Sequence, residues 1–305
     1  MSVPDFQSCM LPILKLAADR KEHSLSESRE VLAAHFGLTD EERSEMLPSG
    51  RQRRFDNRVA WAKVYLEQAG LLTSSRRAHF VIADDGLRLL AQDPGCIDIS
   101  LLEKYPKFQA FRAAARKTGS TASAALVSSE AHGATPEETL EQAYQNIRAE
   151  IASELLMRVK ASSPQFFEEL VVELLLKMGY GRNRAEAGRA IGRSGDEGID
   201  GIISEDRLGL ETIYIQAKRW EGTVGRPDVQ KFVGALHGKR ARKGVFITTG
   251  VFSGEAKDYV SHIDPRVVLI DGRELAEYML DLNLGVTPKT NYEVKRIDSD
   301  YFSEE

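Results

Sequence analysis

The sequence predicts an α/β protein with two domains, a small helical domain that ends in a hairpin and a larger domain in the order αβββαβ. Three observations support this prediction. Apolar residues recur at helical spacing near the N-terminus, and alternating or continuous apolar runs typical of strands follow later in the chain. The apolar pattern fades over residues 96–134, and the stretch KTGSTASAALVSSEAHGAT within and just beyond it is rich in Ala, Ser, Thr and Gly with almost no large apolar residues, as a flexible linker is. A chain of 305 residues is also too long for one small core.

The first predicted domain, residues 1–95, consists of three helices followed by a short hairpin. We expect its helices at 4–20, 25–36 and 57–69 and its strands at 71–72 and 78–82. Ser24 or Ser26 is suited to cap the second helix, and Gly70 ends the third. This order of elements is the winged-helix pattern, in which one helix enters the major groove of DNA.

Arginines cluster around the third helix and the hairpin of this domain. In a winged-helix domain they would contact DNA phosphates. The alternative is that they cover the solvated face of a small helical domain. The cluster consists of Arg51, Arg53, Arg54, Arg58, Arg76 and Arg77.

The second predicted domain, residues 135–305, begins with two helices. Thr135, Pro136 and Glu138 form a capping-box start for the first, and Ser163-Pro164 repeats the start signal for the second. The second helix is apolar around most of its circumference and is therefore expected to be buried. The elements that follow are expected as strands at 187–192, 199–204 and 211–218, a helix at 227–237, a strand at 244–249, and a further helix and strand ending at 270.

Residues 195–220 predict a β-hairpin with three polar side chains on one face. A turn near Leu208 sets Gln216 opposite Asp200, with Lys218 diagonally adjacent. Because side chains alternate along a strand, the apolar set lies on the opposite face. That set consists of Ile199, Gly201, Ile203, Ile213, Ile215 and Ala217.

This polar trio suits metal-assisted hydrolysis of a phosphodiester. Asp200, the carbonyl oxygen of Gln216 and the backbone carbonyl of Ala217 are oxygen ligands of the kind that Mg²⁺ takes. Lys218 would orient the attacking water and stabilise negative charge in the transition state. The alternative is a purely structural cross-strand ion pair between Asp200 and Lys218.

The pattern of an Asp on the second strand followed by Gln-x-Lys on the third, within an αβββαβ order, resembles the PD-(D/E)xK nuclease superfamily. Together with the Gly198–Gly201 segment, the stretches YIQAKRW, TVGRPDVQKFVGAL and GVFITTGVFSGEA resemble the Mrr family of modified-DNA (type IV) restriction endonucleases. The resemblance extends over the whole chain and implies a winged-helix domain joined to a restriction-endonuclease-like domain. It implies catalytic roles for Asp200, Gln216 and Lys218, with Glu168 as an additional acidic residue. Gln216 departs from the acidic residue of the superfamily consensus.

The resemblance implies an Mg²⁺-dependent endonuclease that cleaves double-stranded, methylated DNA. Because both strands must be cut, we expect a dimer or higher homo-oligomer. A DNA-binding regulator or damage sensor that does not cleave is the alternative from a different class. A nuclease for junctions or damaged ends would share the chemistry and differ in substrate.

Two further sets of residues are candidate DNA contacts. Gln230 lies on the helix after the motif and would touch phosphate or water, with an ordinary surface glutamine as the alternative. Lys239, Arg240, Arg242 and Lys243 form a basic loop before the strand at 244–249, with a solvated loop as the alternative.

Composition limits the other classes of function. No apolar run approaches a membrane span, and Asp5, Lys15 and Asp19 interrupt the N-terminal apolar residues, so we expect no signal peptide and no membrane anchor. No GxxxxGK[ST] loop occurs, so ATP dependence is not expected. The net charge of −5 disfavours indiscriminate coating of nucleic acid. We expect a cytoplasmic location, including at the nucleoid.

Overall fold

A computed structural model of the chain describes residues 3–74, 76, 78–117, 133–181, 198–206, 208 and 210–295. The chain divides into two compact units, and the boundary falls between Gln145 and Asn146. Arg77 and the strand expected at 187–192 lie outside the described residues. None of the described helices is long and apolar enough to cross a lipid bilayer.

The first unit contains seven helices, counted over its described residues, and one small antiparallel sheet. The sheet has the strand order β1–β3–β2, in which His23 pairs with Phe80 and Leu72 with Ile82. Its elements are α1 (Phe6–Leu16), β1 (His23–Ser24), α2 (Leu25–Phe36), α3 (Asp40–Ser44), α4 (Arg54–Gln68), β2 (Leu72–Thr73), β3 (His79–Ile82), α5 (Asp84–Leu90), α6 (Ile99–Leu102) and α7 (Pro106–Lys117).

The start of α2 confirms one of the predicted caps. The Ser24 hydroxyl accepts a hydrogen bond from the Glu27 amide at 3.0 Å, and Gly37 ends the helix in the left-handed region at φ 61°. The first helix is shorter than expected. It ends at Leu16, and a 3₁₀ turn over Ala17–Asp19 follows.

The sequence indicates Ala60, Trp61, Val64 and Tyr65 as the packing residues of α4, and the face that the structure buries only partly matches this set. Phe55, Val59, Ala62 and Leu66 are buried in the core of the first unit. Trp61, by contrast, packs only partly against that core. Of the expected positions Tyr65 is buried, while Ala60, Trp61 and Val64 are only partly buried, because the charged and apolar residues of α4 leave more than one face suited to burial.

Two helices lie inside the stretch that the sequence indicates as a linker. Leu102 of α6 and Phe108 of α7 are both fully buried in the core of the first unit. Residues 118–132, the remainder of that stretch, lie outside the described residues.

The second unit is built on a mixed four-stranded sheet with the order β4–β5–β7–β9. β4 and β5 are antiparallel, and β5, β7 and β9 are parallel. The elements are α8 (Pro136–Ala161), which begins in the first unit, α9 (Pro164–Lys177), β4 (Gly201–Ser204), β5 (Thr212–Lys218), β6 (Thr223–Val224), α10 (Arg226–Gly238), β7 (Lys243–Thr248), β8 (Val251–Phe252), α11 (Gly254–Val260), β9 (Arg266–Ile270) and α12 (Gly272–Asp281).

Helices cover both faces of this sheet and form two apolar clusters. Phe167 and Leu174 of α9 pack with Ile215 and Ile247 on one side. Phe232 of α10 packs with residues of the other side, including Phe246 and Ala256. Because each face is covered, the polar residues needed for chemistry are restricted to the ends and the edge of the sheet.

The predicted starts of α8 and α9 are confirmed. Thr135 and Glu138 form a reciprocal capping box, in which the Glu138 amide donates to the Thr135 hydroxyl at 3.2 Å and the Thr135 amide donates to the Glu138 carboxylate at 3.0 Å. The Ser163 hydroxyl accepts from the Phe166 amide at 3.1 Å. These caps fix where the helices that flank the sheet begin.

Candidate active site

The hairpin has the pairing that the sequence predicts. Gly201 pairs with Ile215 and Ile203 with Ile213, which sets Asp200, one residue before β4, opposite Gln216. The Asp200 amide extends the ladder by donating to the Ile215 carbonyl at 2.8 Å. Ile199 departs from the expected pattern, since it packs in the cluster of α10 rather than with Ile203 and Ile215.

Asp200 is held by two neutral donors. Its Oδ2 accepts from the Gln216 side-chain amide at 2.7 Å and from the Ala217 backbone amide at 2.8 Å. Burial raises the pKa of the Asp200 carboxyl, and these two hydrogen bonds oppose the increase. The two hydrogen bonds therefore fix the position of the carboxylate, but because both donors are neutral they do not neutralise its negative charge.

The negative charge of Asp200 acts on Glu168, which lies on α9. Burial is the main cause that raises the pKa of Glu168, and the neighbouring Asp200 and Glu169 raise it further. Glu169 is exposed and accepts from Gln165 at 3.1 Å. Within the described residues, neither Asp200 nor Glu168 takes part in an ion pair, so two carboxylates share an environment without a cation.

Lys218 at the end of β5 pairs with Asp228 rather than with Asp200. Its Nζ lies 2.7 Å from Asp228 Oδ1 and 4.8 Å from the centroid of the Trp220 ring. The structural alternative of an Asp200–Lys218 ion pair is therefore wrong. Asp228 was not among the site residues expected from the sequence. The only signal for it was an acidic residue in the first turn of the helix after the Gln-x-Lys motif.

Two buried threonines fix the backbone that follows Lys218. The Thr248 hydroxyl donates to the Lys218 carbonyl at 2.9 Å. The Thr249 hydroxyl donates to the Trp220 carbonyl at 2.8 Å and accepts from the Trp220 amide at 2.9 Å. Both threonines are buried, so the end of β7 and the residue after it anchor the end of β5.

Comparison with known proteins decides the family. A model described as the Mrr N-terminal domain matches residues 6–92, and one described as a restriction endonuclease, Mrr_cat, matches residues 159–279. The chain is 35% identical over 311 aligned residues to the type IV methyl-directed restriction enzyme EcoKMrr of Escherichia coli K12, which covers 99% of this chain and 100% of that enzyme. The chain belongs to the Mrr family. It is an endonuclease that cleaves DNA, with an N-terminal Mrr domain and a C-terminal restriction endonuclease domain in a mixed α/β fold.

Two solved structures are also similar to this Mrr chain. The modification-dependent restriction endonuclease AspBHI aligns at 17% identity with a TM-score of 0.35, over 50% of this chain and 37% of that one. MspJI in complex with a 27-mer oligonucleotide aligns at 23% identity with a TM-score of 0.28, over 50% of this chain and 34% of that one. At these TM-scores neither structure adds to the assignment.

The residues around Asp200 fit a divalent cation. Asp200 and Glu168 have raised pKa values and no ion-pair partner within the part of the chain that the structure describes, and a bound cation would offset their negative charge. In the described part of this Mrr chain, no three His, Cys, Asp or Glu side chains are grouped closely enough to hold a metal ion. A cation would therefore also need the Gln216 amide oxygen and the Ala217 backbone carbonyl.

Gln216 faces the site with its nitrogen. Its Nε2 donates to Asp200. A Cβ atom added at Gly198 would lie only 3.1 Å from the Gln216 Oε1. Gly198 has φ 104°, a backbone conformation that favours glycine, so the close approach and the backbone both require the missing side chain. For Gln216 and Asp200 to share a cation, the amide must turn over.

Among the remaining candidates of the nuclease domain, the basic loop lies apart from this site. Gln230 is exposed on α10, two residues after Asp228. Lys243 begins β7, and Thr248, which pairs with Lys218, ends it, so about 16 Å of strand separates Lys243 from Lys218. Lys243 also pairs with Glu205 and Glu211. Lys239, Arg240 and Arg242 are exposed at that same distant end of the sheet.

The arginines of the first unit divide into paired and exposed ones. Arg58 contacts Glu138 at 2.9 Å and donates to the Val3 carbonyl at 2.6 Å, and Arg54 pairs with Glu45 and Glu138. Arg76 pairs with Glu22 at 2.7 Å but is 66% exposed. Arg51 and Arg53 are exposed at the start of α4. The paired guanidinium groups already have structural roles inside the unit.

Proposed function

We propose that this Mrr-family endonuclease cleaves double-stranded, methylated DNA with Mg²⁺, and that Asp200, Gln216, Lys218 and Glu168 form its active site. The observation that carries the proposal is the set of polar groups at the end of one hairpin, where the Gln216 amide donates to Asp200 and the Lys218 ammonium follows on the same strand, with Glu168 of α9 near enough for the Asp200 charge to raise its pKa. This set matches the requirements of phosphodiester hydrolysis, in which the attacking water and the developing charge must both be controlled.

Each residue has a role that follows from its surroundings. Asp200, Gln216 through its carbonyl oxygen, and the Ala217 backbone carbonyl would hold the cation, with Glu168 beside them. When bound, Mg²⁺ supplies charge neutralisation and polarises the phosphate. Lys218 orients the water and stabilises negative charge on the phosphate oxygens. Asp228 and Trp220 keep the Lys218 ammonium at the end of β5.

Specificity for methylated DNA is supported by the relative that aligns over its whole length, since that enzyme is described as methyl-directed. The N-terminal unit, whose core includes α6 and α7 beyond the boundary expected at residue 95, would position the DNA. Its order of α1, β1, α2, α4, β2 and β3 with a three-stranded antiparallel sheet supports a winged-helix fold. Among the described arginines of the candidate cluster, Arg51, Arg53 and Arg76 are exposed and would contact phosphates.

Two further properties belong to the proposal. Cutting both strands requires two active sites, which supports a dimer or higher homo-oligomer. The proposed chemistry uses water and a cation and needs no ATP. A cytoplasmic location, where DNA is accessible, suits this activity.

The test is cleavage of methylated and unmethylated copies of one plasmid, with Mg²⁺ or with EDTA. The parent protein is expected to cut only the methylated copy and only with Mg²⁺. Asp200→Asn and Lys218→Ala should abolish cutting but retain DNA binding. Lys231 is exposed on α10, and Lys231→Ala should leave cutting unchanged. Binding without cutting under every condition would instead support a non-cleaving regulator.

A further inference from the structure

An exposed tryptophan stands beside the proposed active site. Trp220 follows Lys218 by two residues, and its side chain is 50% exposed. The Lys218 ammonium lies over its ring at 4.8 Å from the centroid. Large aromatic side chains gain most from burial, so one left half exposed on a fixed backbone is typical of a binding surface.

The backbone of Trp220 is held from both sides. Its N–H and C=O groups both bond the Thr249 hydroxyl, at 2.9 and 2.8 Å. Gly250 lies so close that a side chain there would meet the Gly222 carbonyl at 2.1 Å and the Trp220 carbonyl at 3.1 Å. The indole is therefore presented by a rigid frame, which lowers the entropy lost when a ligand stacks on it.

An open cavity of about 420 Å³ adjoins the indole, and we name it the Trp220 cavity. Arg219 and Lys160 bring positive charge to it, and the Arg219 guanidinium donates to the Lys160 carbonyl at 2.7 Å. Glu221 supplies one negative charge. The cavity is lined by Lys160, Arg219, Trp220, Glu221, Gly222 and Thr249. An aromatic platform combined with cationic side chains is the combination that binds the bases and phosphates of a nucleic-acid strand.

We propose that the Trp220 cavity receives a nucleoside that leaves the base stack of the substrate duplex next to the phosphodiester that is cleaved, with its base stacked on the exposed indole surface. This inference rests on the proposed function of Lys218. At most about 7 Å of extended chain separates Lys218 from Trp220, a length of about two base steps. A strand whose phosphate lies at Lys218 therefore brings a neighbouring nucleoside to the indole, and Arg219 and Lys160 meet the next phosphate.

The chain offers a direct spectroscopic test because it has only two tryptophans, Trp61 and Trp220. In a Trp61→Phe variant, all tryptophan emission comes from Trp220. Titration with a short methylated duplex in EDTA, which prevents cleavage, should quench this emission. The bound duplex should also shield the Trp220 indole from collisional quenching by acrylamide. The reciprocal Trp220→Phe variant, which reports from Trp61 in the first unit, should show a smaller response.

A second measurement concerns affinity. Trp220→Ala is expected to weaken binding of the same duplex about tenfold, and Trp220→Phe should retain most of the affinity because a stacking surface remains. Tyr278→Ala removes another exposed aromatic of the same unit, on α12, and should leave affinity unchanged. Thermal melting of each variant checks that the fold is intact.

The outcomes separate this inference from the proposed function. If the Trp61→Phe protein binds the duplex by anisotropy but its emission and acrylamide accessibility do not change, the nucleoside site is wrong while the nuclease assignment stands. If the parent protein neither binds nor cuts DNA, the proposed function itself fails. Quenching together with the weaker binding of Trp220→Ala supports the site.

Discussion

The Lys218 ammonium is bonded to Asp228, 2.7 Å away on the first turn of α10, and not to Asp200, the diagonally adjacent carboxylate of the hairpin. Lys218 is 29% exposed and Asp228 is 42% exposed, so the pair contributes little to stability. The ion pair instead determines where the Lys218 ammonium lies. Asp228 holds the ammonium at the end of β5, and Asp200 remains free of a cationic partner among the described residues.

Replacing Asp228 should therefore affect catalysis more than binding or folding. We expect Asp228→Asn to lower the single-turnover cleavage rate about tenfold or more, since a small displacement of a catalytic group is costly. The DNA dissociation constant and the melting temperature should change little. Asp228→Glu should recover part of the rate. Asp258→Asn, an exposed acid on α11, is the matched control. An unchanged rate for Asp228→Asn would remove Asp228 from the mechanism.

Glu168→Gln should stabilise the metal-free protein at neutral pH. Burial and the charge of Asp200 raise the pKa of Glu168 above its ordinary value of 4.5, so the folded state disfavours the ionised form. Glu168 therefore lowers the free energy of unfolding of the parent protein. This loss is absent below the ordinary pKa and is complete once the pH exceeds the raised pKa. The variant's melting temperature in EDTA should thus exceed the parent's at pH 7, and the gap should close as the pH falls through 4.5.

The same variant tests the cation site. Mg²⁺ binds the folded state and should raise the melting temperature of the parent more than that of Glu168→Gln, because the variant has lost one of the two neighbouring carboxylates. Cleavage should decrease as well. A Glu168→Gln protein that is less stable than the parent in EDTA at pH 7 would contradict the proposed crowding of carboxylates.

Gln216→Glu restores the acidic residue of the superfamily consensus. An added carboxylate should lower the Mg²⁺ concentration needed for half-maximal cleavage, because it supplies a charged ligand. Without metal the variant should melt at a lower temperature, since the amide that donates to Asp200 at 2.7 Å is replaced by a like charge. Glu211→Gln, at the other end of β5, serves as a control for a change of charge on the hairpin. An unchanged Mg²⁺ dependence would place the cation away from Gln216.

Thr249→Val should be destabilising by about 1–3 kcal/mol, because it leaves the N–H and C=O groups of Trp220 without their partner. Urea unfolding of the variant measures the loss. Thr212→Val, at an exposed position at the start of β5, should be nearly neutral. A Thr249→Val protein as stable as the parent would show that water replaces the hydroxyl at no cost.

Local patterns in the sequence were sufficient for the hairpin and for several helix ends. A β-strand has a period of two, so a turn near Leu208 and two apolar runs leave a single register that buries Ile203, Ile213 and Ile215. That register also places Asp200 opposite Gln216. The Ser24 and Ser163 caps were predictable for a similar reason, because each satisfies backbone groups only a few residues away.

Contacts between distant segments could not be read in the same way. Nothing local distinguishes Arg58, which pairs with Glu138, from the exposed Arg53, and the buried face of α4 depends on which helices pack against it. Leu102 and Phe108 are buried although they lie in a stretch that looks like a linker. The sequence by itself determined the order of elements, the register of the hairpin and the composition of the candidate site, because those depend on neighbours along the chain. Only the tertiary structure decided that Asp228 holds Lys218, that Glu168 stands beside Asp200 and that Thr249 fixes Trp220, because each joins elements whose packing depends on the whole sheet.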